Sequence, residues 1–559
     1  MIASSGSSAL RSGGAQGRLP EARPALLERR IVLYSALGVA VALGLAFRAI
    51  QYAADRSLWF DEAALSLNIL HRSAAGLTRT LDFAQAAPLG FLELEKLATH
   101  AFGDGEPALR LLPLICGLAS MPLFAALALR TLRPAPALLA TLLFACAVGP
   151  VYYASEVKPY SGDVAVAIGL ALLATLLVDD ALSGSGKVAA SLAGVAAMSL
   201  SHASVFVAGG IALTLAVRAI LRRDRRTFEA FAATVPWALM GIFVVVFTSA
   251  RVMQLETVIR SSPGAYGHGS SVGSHANWIL DVASGLMRSI GYSEGGRSPE
   301  RYLHWPLLAL ALVGAVSLAR RRPTLGAFLL LPFALTWVAS ALNKYPIFDR
   351  TVLFLVPATV LFIAEGAAAL VRGARWRILR VSTASVLAAA VLLVPLVHAV
   401  EHSVDPLQHE EIKQALGYVR SHWHRGDALF VDRGTRFALR YYLDCSCLDA
   451  AEVRGHGLTW RFGETTGGHG HRPMPLRDVD PRFVMGRLDV RTPGTFANQL
   501  HGLEGRRRVW VLYTHRSNQG ATQRIAATLR TLARVDRRLA SYEAVGAHVY
   551  LYDLRLRSH

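Results

Sequence analysis

Acidic residues are scarce in this chain. Asp and Glu number 39 against 58 Lys and Arg in 559 residues, and charged residues of both signs make up only 17%. There are four cysteines, too few for a disulfide-stapled scaffold. Cys116 and Cys146 fall in apolar runs, and Cys445 and Cys447 are too close in sequence for an unstrained bridge to be assumed. No Walker sequence is present, and no GxGxxG stands between a strand and a helix, so no motif points to a bound nucleotide. Internal repeats, which would favour a transporter, are not apparent. The net charge of +19 would suit a nucleic-acid binder, but much of the excess sits in short Arg clusters between apolar blocks. Such clusters orient a chain in a membrane, and no nucleic-acid partner is expected.

What the chain has is apolar length. Hydrophobic residues make up 53%, in blocks near 20 residues long rather than in helical stripes, so the fold class is a polytopic α-helical membrane protein. The first block is not a cleavable signal, because it is long, starts some 30 residues in and is followed by more spans. The clusters Arg222-Arg223-Asp224-Arg225-Arg226, Arg320-Arg321-Arg322 and Arg372 through Arg380 belong in the cytoplasm of a cell whose inner (plasma) membrane holds the chain. Working outward from them gives about eleven spans, ending near 381–400 and leaving residues 401–559 outside. The same parity forbids Ala84 to Phe102 from crossing. With Glu93, Glu95 and Lys96 it reads as a juxtamembrane helix in the outer interface.

Three units follow: a disordered cytoplasmic stretch over 1–25, a transmembrane module over 26–400 with outer loops at 51–109 and 251–301, and an external domain over 401–559. In the external domain, Asp427 to Val431, Val509 to Tyr513 and His548 to Tyr552 read as strands, and 408–422 and 521–534 as helices. That alternation suggests a small α/β domain, with 453–496 as a long loop.

The outer face collects Asp61, Glu62, Glu93, Glu95, Lys96, Arg110, Glu156, Lys158, His202, Asp349 and Arg350. A cavity open to the outside explains such one-sided clustering better than packing does. Asp61 and Glu62 follow directly on the first span. As a bare pair they could simply cap a surface helix; as a functional pair, Asp61 takes a proton from an acceptor, with Glu62 or His202 assisting or holding a metal. Lys158 and Arg350 stand where a lipid phosphate would lie, snorkelling to headgroups being the plainer alternative. Glu156, Tyr160 and Tyr345 are further substrate or metal candidates. His268 and His275, in a Gly/Ser-rich loop, suit a mobile lid or a mere connector. His469-Gly470-His471 is a weak metal tract.

Several segments resemble, in order, GT-C membrane glycosyltransferases of the branch related to protein O-mannosyltransferases and lipid A aminoarabinose transferases. Trp59-Phe60-Asp61-Glu62-Ala63 is similar to that branch's first-loop acidic motif. Ala87-Pro88-Leu89 resembles its Pro-Pro-Leu, and Phe102-Gly103 through Glu106 and Arg110 its Phe-Gly and Glu-x-x-x-Arg segment. Glu156-Val157-Lys158-Pro159-Tyr160 resembles Glu-Ala-Arg-Pro-Tyr, Ser201-His202 a Thr-His before a span, and Tyr345-Pro346 with Arg350 and Pro357 a later Tyr-Pro…Arg…Pro element. The likeness covers roughly 30–400. It departs where Lys158 replaces Arg, losing the planar fork, and where Gln85-Ala86 replaces a charged partner before the proline.

The resemblance implies an inverting transferase that moves a sugar from a polyprenyl-phosphate monosaccharide to an envelope glycan, lipid or protein acceptor at the outer face. Asp61 would be the base or the carboxylate organising the acceptor, Lys158 and Arg350 phosphate contacts, and Arg110 structural or near the donor. No cofactor is required, a divalent metal being the open alternative. The rival readings are a transporter or flippase of lipid-linked saccharides and a non-catalytic cell-envelope assembly protein.

Overall fold

A computed structural model describes residues 22–251, 272–291, 303–347, 350–373, 377–424, 426–431, 433–444, 483–485, 507–514 and 538–555. A helix stands at every span expected from the sequence. Eight are single helices long and apolar enough to cross a bilayer, and Pro134–Cys146 with Val148–Ser155, bent by 53°, makes a ninth if the pair is one span. Two fall short: Gly184–Met198 has only 15 residues, and His304–Arg321 ends in two arginines that dilute its apolar length. By that stricter measure the number is nine at most among the described residues, against the expected count of about eleven. Leu89–Phe102, with 14 residues, is too short to span.

The spans pack through small residues and face outward with large ones. A Cβ on Gly314 would collide with the carbonyl of Phe362, and one on Gly366 with the carbonyl of Leu310, so helices His304–Arg321 and Val356–Gly373 meet backbone to backbone. Ile242, Phe243, Val246, Val381, Val386 and Leu393 point away from the protein, exposed by half or more. In water such rows would be costly; lipid tails are their natural surroundings.

The C-terminal region forms a five-stranded sheet. Its strands are β1 (Ala428–Val431), β2 (Phe483–Met485), β3 (Val509–Tyr513), β4 (Arg538–Ala544) and β5 (Ala547–Tyr552), in the order β2-β1-β3-β5-β4. β1 runs parallel to β2 and β3, whereas β5 is antiparallel to both β3 and β4. β2 lies inside the stretch expected to be a long loop. The rest of that stretch, the helix expected over 521–534, residues 1–21 and Asp349 lie outside the described residues, as do His268, His469, His471, Cys445, Cys447 and the side chain of His275.

Both faces of the sheet are covered. Ala428, Phe430, Val509 and Val511 line one face. Leu429, Val431, Trp510 and Leu512 line the other, and there they join Leu58, Ala63, Leu67, Phe91 and Leu109 of the first outer loop in one continuous core. Period-two alternation along each strand therefore decides which side chains meet the membrane module.

Candidate active site

The site is built on the segment from Arg56 to Glu62, where the chain leaves its first span and enters the helix Phe60–His71. Four consecutive backbone amides there are each held by a side chain. Ser57 N–H donates to the Glu411 carboxylate at 3.1 Å, and Leu58 N–H to Tyr442 Oη at 2.7 Å. Trp59 N–H donates to Glu62 Oε2 at 3.4 Å, and Phe60 N–H to Glu410 Oε2 at 3.1 Å. A helix start leaves such donors without intrahelical partners. Here three of the four acceptors come from the C-terminal region.

Glu62 is the buried keystone of this arrangement. It accepts from Arg110 Nε at 3.0 Å and Arg110 Nη2 at 2.9 Å, a paired fork, and from Val157 N–H at 2.9 Å. Arg56 stands 3.7 Å away and is itself tied to Tyr152 Oη at 2.6 Å and the Ser155 carbonyl at 2.7 Å. Burial pushes the Glu62 pKa up, but the charges of Arg110 and Arg56 and the hydrogen bonds from Arg110 and Val157 outweigh it and hold the carboxylate below its ordinary range. The reciprocal attraction raises Arg110, against its own burial. With both oxygens engaged, Glu62 orders its surroundings and has no lone pair directed at a substrate.

Asp61 turns the other way. Its Oδ2 meets Arg350 Nη2 at 2.7 Å, with both side chains partly open to solvent at 19% and 27% exposure. The Arg350 guanidinium also lies over the Trp59 ring at 5.3 Å and toward Tyr160 at 6.0 Å. Tyr345 secures the approach to Arg350, its hydroxyl donating to the Thr351 carbonyl at 2.8 Å.

The Val157–Glu62 bond brings Glu156 and Lys158 to the same place. Both are buried. Lys158 Nζ donates to Gln85 Oε1 at 2.7 Å, while neither oxygen of Glu156 has a hydrogen-bond partner. Burial lowers the Lys158 pKa, partly offset by Asp61, Glu156 and Glu62 and reinforced by Arg350. Burial and then repulsion from Glu62 raise Glu156 to about 7, against the pull of Arg56, Arg350 and Lys158.

The structure thus gathers Asp61, Glu62, Arg110, Glu156, Lys158, Tyr160 and Arg350 into one neighbourhood, and it separates others from it. His202 faces Arg251; burial, then that charge, lowers its pKa to about 4. Arg251 in turn is spent on the carbonyls of Leu77 and Arg79. Lys96 caps the end of the helix Phe60–His71 through the carbonyls of Ile69 and Leu70, at 2.8 and 3.0 Å. Sequence reasoning missed Arg56, Gln85, Glu410, Glu411 and Tyr442. Gln85 and Arg56 border quoted motifs, but the other three lie 350 to 384 residues from the amides they hold. Among the described residues, no three His, Cys, Asp or Glu side chains converge as metal ligands.

No protein-family model matches the chain, and no curated protein does. Solved structures do. The archaeal oligosaccharyltransferase AglB from Archaeoglobus fulgidus, in complex with an inhibitory peptide and a dolichol-phosphate, matches at 13% identity and a TM-score of 0.46, over 74% of this chain and 64% of that one. This chain thus spans less than two thirds of AglB. ArnT from Cupriavidus metallidurans in the apo state matches at 13% identity and a TM-score of 0.48, over 94% of this chain and 98% of that one. The same ArnT bound to undecaprenyl phosphate gives 12% and 0.46 over the same shares. Both neighbours are GT-C membrane glycosyltransferases.

Proposed function

We propose that the chain is a membrane-embedded glycosyltransferase of the GT-C kind, moving one sugar from a polyprenyl-phosphate monosaccharide to an envelope glycan, lipid or protein. The observation that carries this reading is the split of the acidic pair. Glu62 is locked into the scaffold by Arg110 and Val157, while Asp61 beside it reaches a partly open place lined by Arg350. The positive-inside pattern supports an outer, extracytoplasmic position for that place and for the C-terminal domain.

In the reaction, Asp61 accepts the proton of an acceptor hydroxyl. The freed oxygen attacks the anomeric carbon in line with the phosphate, and the bond from that carbon to the phosphate oxygen breaks with inversion. Lys158 and Arg350 stabilise the departing polyprenyl phosphate, and the donor supplies its own energy. Glu62 and Arg110 contribute by keeping Asp61 in position. No step is routed through a metal.

The test is mass spectrometry of lipid-linked sugars and envelope glycans from cells with the gene, without it, and with Asp61→Asn. Accumulation of one polyprenyl-phosphate sugar, with one decoration missing in both altered strains, is the expected result and identifies donor and acceptor together. Unchanged glycans in the Asp61→Asn strain, despite a phenotype in the deletion, would favour the transporter or assembly reading.

A further inference from the structure

Two buried glutamates among the described residues have neither oxygen hydrogen-bonded, Glu95 and Glu156. Their surroundings differ. Burial alone raises the Glu95 pKa well above its ordinary value, and its carboxyl sits against Cys116 with no cation to draw out its proton. A neutral acid in an apolar wall suffices to explain it. Glu156 instead stands among Arg56, Lys158 and Arg350, with Glu62 on its other side, and still none of those cations donates a hydrogen bond to it. A buried carboxyl amid donors that all point elsewhere costs free energy unless something else donates to it.

Its position says what that would be. Glu156 and Lys158 flank Val157, whose N–H is held by Glu62, and the Lys158 N–H closes a tight turn onto the Glu156 carbonyl at 2.6 Å. The backbone between the two side chains is therefore fixed. The ammonium keeps two N–H groups beyond the one given to Gln85, and the carboxyl keeps all of its acceptor capacity. A ligand that carries an anion next to a set of hydroxyls satisfies both at once.

We propose that Glu156 reads the transferred sugar, its carboxyl accepting hydrogen bonds from hydroxyls of a neutral monosaccharide while Lys158 and Arg350 hold the phosphate. This deepens the transferase reading and rests on it. Glu156 is then a specificity residue. It takes no proton from the acceptor, and it discriminates a loaded carrier from a spent one, which aids release of the bare polyprenyl phosphate.

The test uses the full-length protein in detergent. Lipid-linked monosaccharides and bare polyprenyl phosphate, extracted together from membranes of cells that carry the gene, are offered in competition, and the retained lipids are weighed by mass spectrometry. The wild type should prefer a sugar-loaded carrier. In Glu156→Ala that preference should fall about tenfold or more, with retention of the bare carrier undiminished, whereas Lys158→Met should weaken both. Glu156→Gln, which keeps size and one acceptor, should fall between and serves if the alanine variant does not fold. A preference unchanged in both Glu156 variants, or an equal loss of both lipids, overturns the assignment while leaving the transferase reading standing. Retention of neither lipid by the wild type would sink the transferase reading itself, and this inference with it.

Discussion

Two buried glutamates, Glu365 on the helix Val356–Gly373 and Glu62 on the helix Phe60–His71, anchor charged networks that are finished differently. From the middle of its helix, Glu365 accepts from Ser317 Oγ at 2.7 Å, Arg321 at 2.8 Å and Arg372 at 2.7 Å, so both oxygens are engaged. Before the start of that helix, where Arg350 meets Asp61, Glu62 is satisfied in the same way by Arg110 and Val157. But Glu62 shares its region with Asp61 and Arg350, both partly open, and with Glu156, whose carboxyl has no hydrogen bond. A closed network orders the fold; a network with unfilled positions has room for a ligand. The cluster around Glu365 is only the first of these, whereas the one around Glu62 contains both.

The sharpest way to break the comparison is at Asp61. Asp61→Asn should cut sugar transfer by about a hundred- to ten-thousandfold, the usual weight of a general base, while thermal unfolding stays close to wild type. A large loss of stability with normal transfer per folded molecule would make Asp61 one more closed-network residue. Glu62→Ala should do the reverse. It strands Arg110 and Arg56 in the interior, at a cost of about 3–5 kcal/mol, read as a lower unfolding temperature and poor yield. Glu365→Ala should be milder, because Arg321 and Arg372 are about a third exposed and can turn to water. Its folded fraction should transfer sugar normally.

Glu156 sharpens the contrast through pH. Its folded pKa, about 7, lies above the ordinary carboxylate value, so the unfolded chain gives up this proton first as pH rises. Stability should therefore fall between about pH 4.5 and 7 and level off above, by up to roughly 3 kcal/mol. Unfolding curves of wild type and Glu156→Gln across that range should converge at low pH and separate as it rises. The smallest effect expected concerns Glu411, which accepts from Ser57 through both its N–H and its Oγ. Glu411→Gln should lower kcat by about tenfold, the weight of one charge-assisted hydrogen bond, and leave retention of the bare carrier unchanged. An unaltered kcat would show that the C-terminal domain covers the site without holding it.

Much of the site was legible before the fold. Asp61, Lys158 and Arg350 stand beside span ends, and charge parity alone sends them to one face. The pairing of Glu62 with Arg110 was not, because two adjacent acids look alike until one of them turns inward. Nor was the C-terminal domain's grip on the loop: Glu410, Glu411 and Tyr442 belong to no motif, and a carboxylate that receives a backbone amide leaves no periodic mark. His202 shows the converse. Charge parity sends it to the same face as Asp61, yet the charge that bears on it is that of Arg251, which repels its protonated form, and not that of the acidic segment.

The sequence by itself determined the class of the molecule, where the helices lie and the presence of a β-containing C-terminal domain, because apolar length, basic clusters and strand alternation are local properties of the chain. Only the tertiary structure decided which acid is buried and which faces the opening, and that a domain beginning some 340 residues later supplies three of the four acceptors holding Ser57 to Phe60. Those outcomes depend on which side chains satisfy orphaned amides and buried charges, and such partners are chosen by proximity in space.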